Sequence, residues 1–145
     1  MVNGTDDLKK AVENTVSKLN KQIRSRAYSV QNVLRNAELE VLSGQRSGKV
    51  YRKPDTKSAT YTASAPGEPP ARRLGPLRKH WTPGIDRNLN ASGGVDIVAY
   101  IESTTPYSGY LENGTRKMVA RPYVERIKEK AKPEIIKIMS GGYTN

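Results

Sequence analysis

Residues 6 to about 42 contain no proline and no glycine, and their apolar residues recur every three or four positions. Leu8, Val12, Val16, Leu19, Ile23, Ala27, Val30, Leu34, Ala37 and Val41 form this series. A 3.6-residue period places them on one stripe of a continuous helix. Thr5 or Asp6 can cap its start, and Asp6 and Asp7 suit the positive end of the helix dipole. At 1.5 Å per residue such a helix is about 55 Å long. A compact domain of this chain length is only roughly 35–40 Å across. Either the helix overhangs its own domain and needs a further surface to cover its stripe, or it bends or breaks near Tyr28 and packs both halves on the rest of the fold.

Past Gly44 the period changes. The segments 49–53 (KVYRK) and 58–64 (SATYTAS) alternate and are rich in Val, Tyr and Thr, which predicts a β-hairpin. Pro66, Pro69, Pro70 and Pro76 then fall within residues 65–76, an extended arm without regular structure. A short turn or helix is expected at 77–81. Residues 85–90 and 94–103 read as a second hairpin turning at Ala91-Ser92-Gly93, with Val95, Ile97, Ala99 and Ile101 on one face and Asp96, Val98, Tyr100 and Glu102 on the other. A connector at 104–121 leads to a C-terminal helix at 122–140, with Pro122 as its first residue and Pro133 expected to kink or restart it. The prediction is an α+β fold forming a single domain, residues 1–145. It has a long N-terminal helix over 1–43, about four antiparallel strands within 44–103 with the Pro-rich extended arm at 65–76, and a C-terminal helix.

The net charge of +11 is unevenly spread. Residues 1–42 hold seven Lys/Arg against five acids (+2), residues 43–90 ten against three (+7), and residues 91–145 eight against six (+2). A basic middle third favours phosphates or acidic protein surfaces; it also serves simply as a solubilising surface. The apolar fraction of 35% predicts a modest core. The absence of cysteine excludes disulfides, thiol nucleophiles and Cys-ligated metals, and the lone His80 cannot build a His-rich metal site. No catalytic, cofactor or metal site is expected. A polar N-terminal stretch and the lack of a long apolar run lead us to expect a soluble chain used without export, with no membrane partner.

Several motifs invite chemistry and fail on spacing. The segment 44–50 (GQRSGKV) is one residue short of a phosphate-binding loop, with Val50 where a metal-holding hydroxyl belongs, and it precedes a strand. Pro66 and Pro69 give a PxxP spacing, which reads better as a stiff arm lying across a neighbour than as a recruited ligand. No acid, base or nucleophile has a partner at an informative spacing. Nucleic-acid binding competes more seriously. Arg46, Lys49, Arg52, Lys53, Lys57, Arg72, Arg73, Arg78, Lys79 and Arg87 are interleaved with Tyr51, Tyr61 and Trp81, a pattern able to grip a backbone and stack bases.

Joined together, Ala65 to Pro70 (APGEPP), Gly75-Pro76-Leu77-Arg78, Tyr107 and Tyr110 with Glu112, Gly114-Thr115, and Met118-Val119-Ala120-Arg121-Pro122-Tyr123 resemble the phage tail-component family of long-tailed bacteriophages. These are small neck or tail-completion proteins. The resemblance covers about residues 48–127; Arg73-Leu74 stands where the family carries Asp-Thr, and Trp81 where a smaller aliphatic is common. It implies a structural virion protein, assembled in the host cytoplasm. Such a protein forms a ring of self copies, six- or twelve-fold, at the head–tail junction or the top of the tail. Its neighbours would be head-closure or connector and tail-terminator or tail-tube proteins, with genomic DNA passing non-specifically through the channel. On this reading Leu8, Val12, Pro66, Glu68, Pro69, Pro70, Tyr107, Tyr110, Glu112 and Arg121 are expected at subunit interfaces. Arg46, Arg52, Lys53, Arg72, Arg73, Arg78, Lys79, Arg116 and Lys117 are expected to face DNA or an acidic partner. The alternative is a basic nucleic-acid-binding protein acting free of the virion.

Overall fold

The computed structural model describes residues 4–54, 56–71, 75–89, 91 and 95–142. The fold is α+β: a long N-terminal helix, four antiparallel strands in two separate two-stranded sheets, and a C-terminal helix. Helix α1 spans Gly4–Val41, 38 residues without a break at Tyr28. Arg46 ends it by donating from Nη2 to the Val41 carbonyl oxygen at 2.7 Å, occupying an acceptor that has no partner within the helix.

Strands β1 (Val50–Arg52) and β2 (Thr60–Thr62) form the first hairpin, with Tyr51 opposite Tyr61 and their rings 5.9 Å apart. Below it, Gly48 N–H donates to the Ala63 carbonyl at 2.8 Å, and a Cβ at Gly48 would lie 2.5 Å from that same oxygen. Only glycine lets the two chains close there. Helix α2 (Pro76–Lys79) follows the arm.

Strand β3 (Trp81–Leu89) pairs with β4 (Val95–Ser103) along its whole length, from Trp81↔Ser103 to Leu89↔Val95. It starts four residues earlier than the alternation predicts, because Pro83 and Gly84 interrupt the pattern. A two-stranded sheet tolerates Pro83, since every strand in it has an open edge. Ile97, Ala99 and Ile101 are the more covered face of β4, while Asp96, Val98 and Glu102 are exposed. Gln31 on α1 locks onto β3 by donating from Nε2 to the Gly84 carbonyl at 2.6 Å. The turn residues 90 and 92–94 lie outside the described residues, as do Arg72 and Arg73 of the arm.

Helix α3 (Ser108–Asn113) and helix α4 (Val124–Ser140) complete the chain. Helix α4 starts two residues after Pro122, which was expected as its first residue, and it continues through Pro133 as one helix. Pro133 and Glu129, whose carbonyl Pro133 cannot bond, are both exposed residues. Helix α4 runs antiparallel to the C-terminal half of α1. Lys130 pairs with Glu40 at 2.7 Å, and further along Arg26 donates to the Gly142 carbonyl at 2.7 Å. Between them sits a small core of Ala37, Leu42, Leu77, Tyr123, Ile127 and Ala131, with Trp81 edge-on to Tyr123 at 6.3 Å.

Candidate interaction surfaces

The Pro-rich arm was expected to lie across a neighbouring subunit; its described residues 65–71 make a set of contacts within their own chain. Glu68 turns inward and organises it: its Oε2 accepts from the Ala65 N–H at 2.8 Å and the Ser47 N–H at 3.1 Å, and its Oε1 accepts from the Ser47 hydroxyl. The Ser47 hydroxyl first, then the two backbone donors, hold this carboxyl down to about 2. Arg46 reaches the Pro70 carbonyl from both Nε and Nη2, at 3.2 and 3.1 Å, and Arg126 donates to the Gly67 carbonyl at 2.7 Å. Pro69 and Pro70 are buried within the chain, whereas Pro66 remains exposed. Glu68, Pro69 and Pro70, expected at a subunit interface, make these contacts within their own chain. Guanidinium and carboxylate groups close to the arm in space satisfy its carbonyls and amides, which a reading of an isolated proline run cannot anticipate.

The connector behaves similarly. Glu112 caps α4, its Oε2 accepting from the N–H groups of Tyr123 at 2.8 Å and Val124 at 3.2 Å. Two of the first amides of a helix and one carboxylate explain why α4 begins at Val124. Tyr123 is buried and donates its hydroxyl to the Ser108 carbonyl at 3.1 Å; burial pushes its phenol upward. Gly114 ends α3 at φ 79°, where a Cβ would lie 2.8 Å from the Ala120 nitrogen. The Arg121 N–H donates to the Leu111 carbonyl at 2.7 Å. Glu112, expected at a subunit interface, thus has a role within its own chain. Tyr107 and Tyr110, expected at subunit interfaces, are both exposed on the connector.

Among the expected DNA-facing cations, Arg46 and Arg78 serve the fold. Arg78 donates from Nη1 to the Ser43 hydroxyl at 3.0 Å and lies near Glu38, while burial lowers the pKa of Arg46. Arg52, Lys79, Arg116 and Lys117 are exposed and Lys53 is half-buried; Arg52 and Lys53 are on or beside the first hairpin.

Glu38 was not foreseen. Its side chain is 0% exposed, and Arg35 donates from Nη1 to its Oε2 at 2.5 Å, while its Oε1 has no partner. Burial pushes its carboxyl up to about 7 against the pull of Arg35 and Arg78. It sits on the helix face where only alternating apolar residues marked the core, so the stripe gave no signal of it.

Among the described residues, two apolar surfaces stand out. The first is the N-terminal half of α1, where Leu8 is 66%, Val12 54% and Val16 49% exposed. Ile23 of α1 shares a small depression with Ile97 of β4 and with Ile135 and Met139 of α4, so the stretch of α1 before it, residues 4–22, about 28 Å, projects past these partners. The second is a groove of about 660 Å³ beside the C-terminal end of α1. Leu42, Tyr61, Pro70, Leu77, Tyr107 and Met118 give it its apolar wall; Arg78 and Arg121 also line it, and no carboxylate does. Its walls come from five separated stretches of chain, so no local motif announces it. Leu8, Val12, Tyr107 and Arg121, all expected at interfaces, lie on these two surfaces.

Among the described residues no group of acidic or His side chains is placed to hold a metal, and no helix is long and apolar enough to cross a membrane. Compared with protein-family models, with curated proteins and with solved structures, the chain matches none.

Proposed function

We propose that this chain is a non-enzymatic ring subunit of the neck or tail-completion region of a long-tailed phage. It assembles with copies of itself around the channel through which DNA passes. The observation that carries this reading is the uncovered stripe on α1. Three apolar side chains about half or more exposed, on a helix projecting about 28 Å past its packing partners, are unfavourable for a free monomer and are readily covered by a neighbour. The small core points the same way, since a chain with little buried apolar surface gains most from association.

The motifs that resemble the tail-component family support the assignment in kind. Glu68, Glu112, Gly114 and Tyr123 each perform a definite structural task in the arm and connector. In this account those motifs shape the subunit, and the helix and groove surfaces join subunits. The exposed cations Lys79, Arg116 and Lys117 are then free to face the DNA backbone or an acidic neighbouring ring.

A second reading has one observation in its favour. The first hairpin carries Lys49, Arg52, Lys53 and Lys57 beside the Tyr51–Tyr61 pair, and it is largely exposed. That is a serviceable platform for nucleic acid in a protein acting alone. Sedimentation of the purified chain, with and without duplex DNA across a salt series, separates the two. The ring reading predicts a defined oligomer without DNA. The second predicts a monomer that binds DNA with an affinity falling steeply as salt rises.

A further inference from the structure

We propose that the N-terminal half of α1 from one copy seats in the apolar groove of the next copy, joining subunits head to tail. This rests on the self-assembly reading above and specifies its interface. The two surfaces are complementary in kind: one is an exposed apolar ridge and the other a largely apolar depression of about 660 Å³. They also complement each other in charge. Residues 4–14 hold Asp6, Asp7 and Glu13 against Lys9 and Lys10, a net −1 in a chain of net charge +11, and the charged groups lining the groove are Arg78 and Arg121.

Geometry makes the pairing intermolecular. Leu42 lines the groove and Val12 lies 30 positions earlier in the chain, 29 of the intervening residues being in the same unbroken helix. That separation is about 45 Å, so a rigid helix cannot bring its own ridge to its own groove. Two different surfaces at opposite ends of one rod generate a heterologous interface, which closes as a ring when the rotation per copy allows it. Leu8, Val12 and Val16 repeat at intervals of four, an i, i+4 ridge that drifts around the helix. A seam for a two-helix coiled coil alternates intervals of three and four instead.

The chain contains no cysteine, which permits a clean test. The full chain carrying both Val12→Cys and Tyr107→Cys is treated with a short bis-maleimide. The expected result is a ladder of covalent multimers up to the size of the native assembly. A control carrying Lys18→Cys and Tyr107→Cys, with its helical thiol off the ridge, should give none. Two blocked variants add a second arm. Leu8→Asp/Val12→Asp removes the ridge, and Ala71→Glu/Tyr107→Asp fills the groove. Each alone should lose every species larger than a monomer. Mixed, they should form heterodimers and nothing larger, because one good ridge meets one good groove. An unmodified chain that assembles without the Val12–Tyr107 ladder overturns this interface and leaves the ring reading standing. An unmodified chain that stays monomeric overturns both. If the groove variant fails to fold, the cross-linking result decides alone.

Discussion

Replacing Glu38 by Gln should change how the stability of this protein depends on pH. In the folded chain the carboxyl has no exposure, one oxygen bonded to Arg35 and the other without a partner, and it titrates at about 7 against an ordinary value of 4.5. A pKa raised by folding means the folded state holds a proton that the unfolded state has released. The contribution is fully present below pH 4.5, declines as pH rises, and is lost above about 7. The difference of about 2.5 units corresponds to roughly 3 kcal/mol at 1.36 kcal/mol per unit. With a urea dependence of about 2 kcal/mol per molar, that is a shift of about 1.5 M in midpoint. Gln resembles the neutral carboxyl in shape and does not titrate. The two proteins should thus unfold at similar urea concentrations at pH 4.5, and the variant should be the more resistant at pH 8. Urea unfolding followed by circular dichroism at half-unit pH steps reads this directly. A midpoint difference that does not change between pH 4.5 and 8 refutes the reasoning, as does a wild-type protein that gains stability relative to the variant over that interval.

Glu68 works in the opposite direction. Its pKa is depressed to about 2, so the order it gives the arm is present above pH 4.5 and lost as pH falls toward 2; the protection of the Ala65 and Ser47 amides relative to their intrinsic exchange rates should fall over that interval, and Glu68→Gln should show low protection already at pH 6. Glu112→Ala removes the cap of α4 and should cost about 1 kcal/mol, lowering the melting temperature by about 2–4 °C, whereas Asp at the exposed neighbour Asn113 should leave it nearly unchanged. Gly48→Ala forces a methyl against the Ala63 carbonyl and should open the base of the first hairpin, seen as loss of amide protection at Lys53 and Ala63 while the second hairpin keeps its protection.

Elements governed by local rules were legible in the sequence. The uninterrupted stripe over α1, the Val/Tyr/Thr alternation of the first hairpin and the in–out pattern of β4 each follow from a period the chain displays. Boundaries set by distant partners were not. Helix α4 starts at Val124 because a carboxylate eleven residues before Tyr123 caps it, although Pro122 satisfies the local rule for a first helical residue. The arm folds back because Arg46, Ser47 and Arg126 reach it from elsewhere in the chain. Of the candidate surfaces, the ridge was visible as excess helix length. The groove was invisible, since Leu42, Tyr61, Leu77 and Met118 meet only when the fold is complete.

The central claim is that the chain assembles with itself into closed rings. Electron microscopy of the purified, untagged protein, with its mass measured in solution on the same sample, tests it most directly. The expected result is uniform annular particles with a mass six or twelve times the 16.1 kDa of one chain, dispersed by Leu8→Asp/Val12→Asp. A species of 16.1 kDa at every concentration and salt condition, with no annular particles, would contradict it.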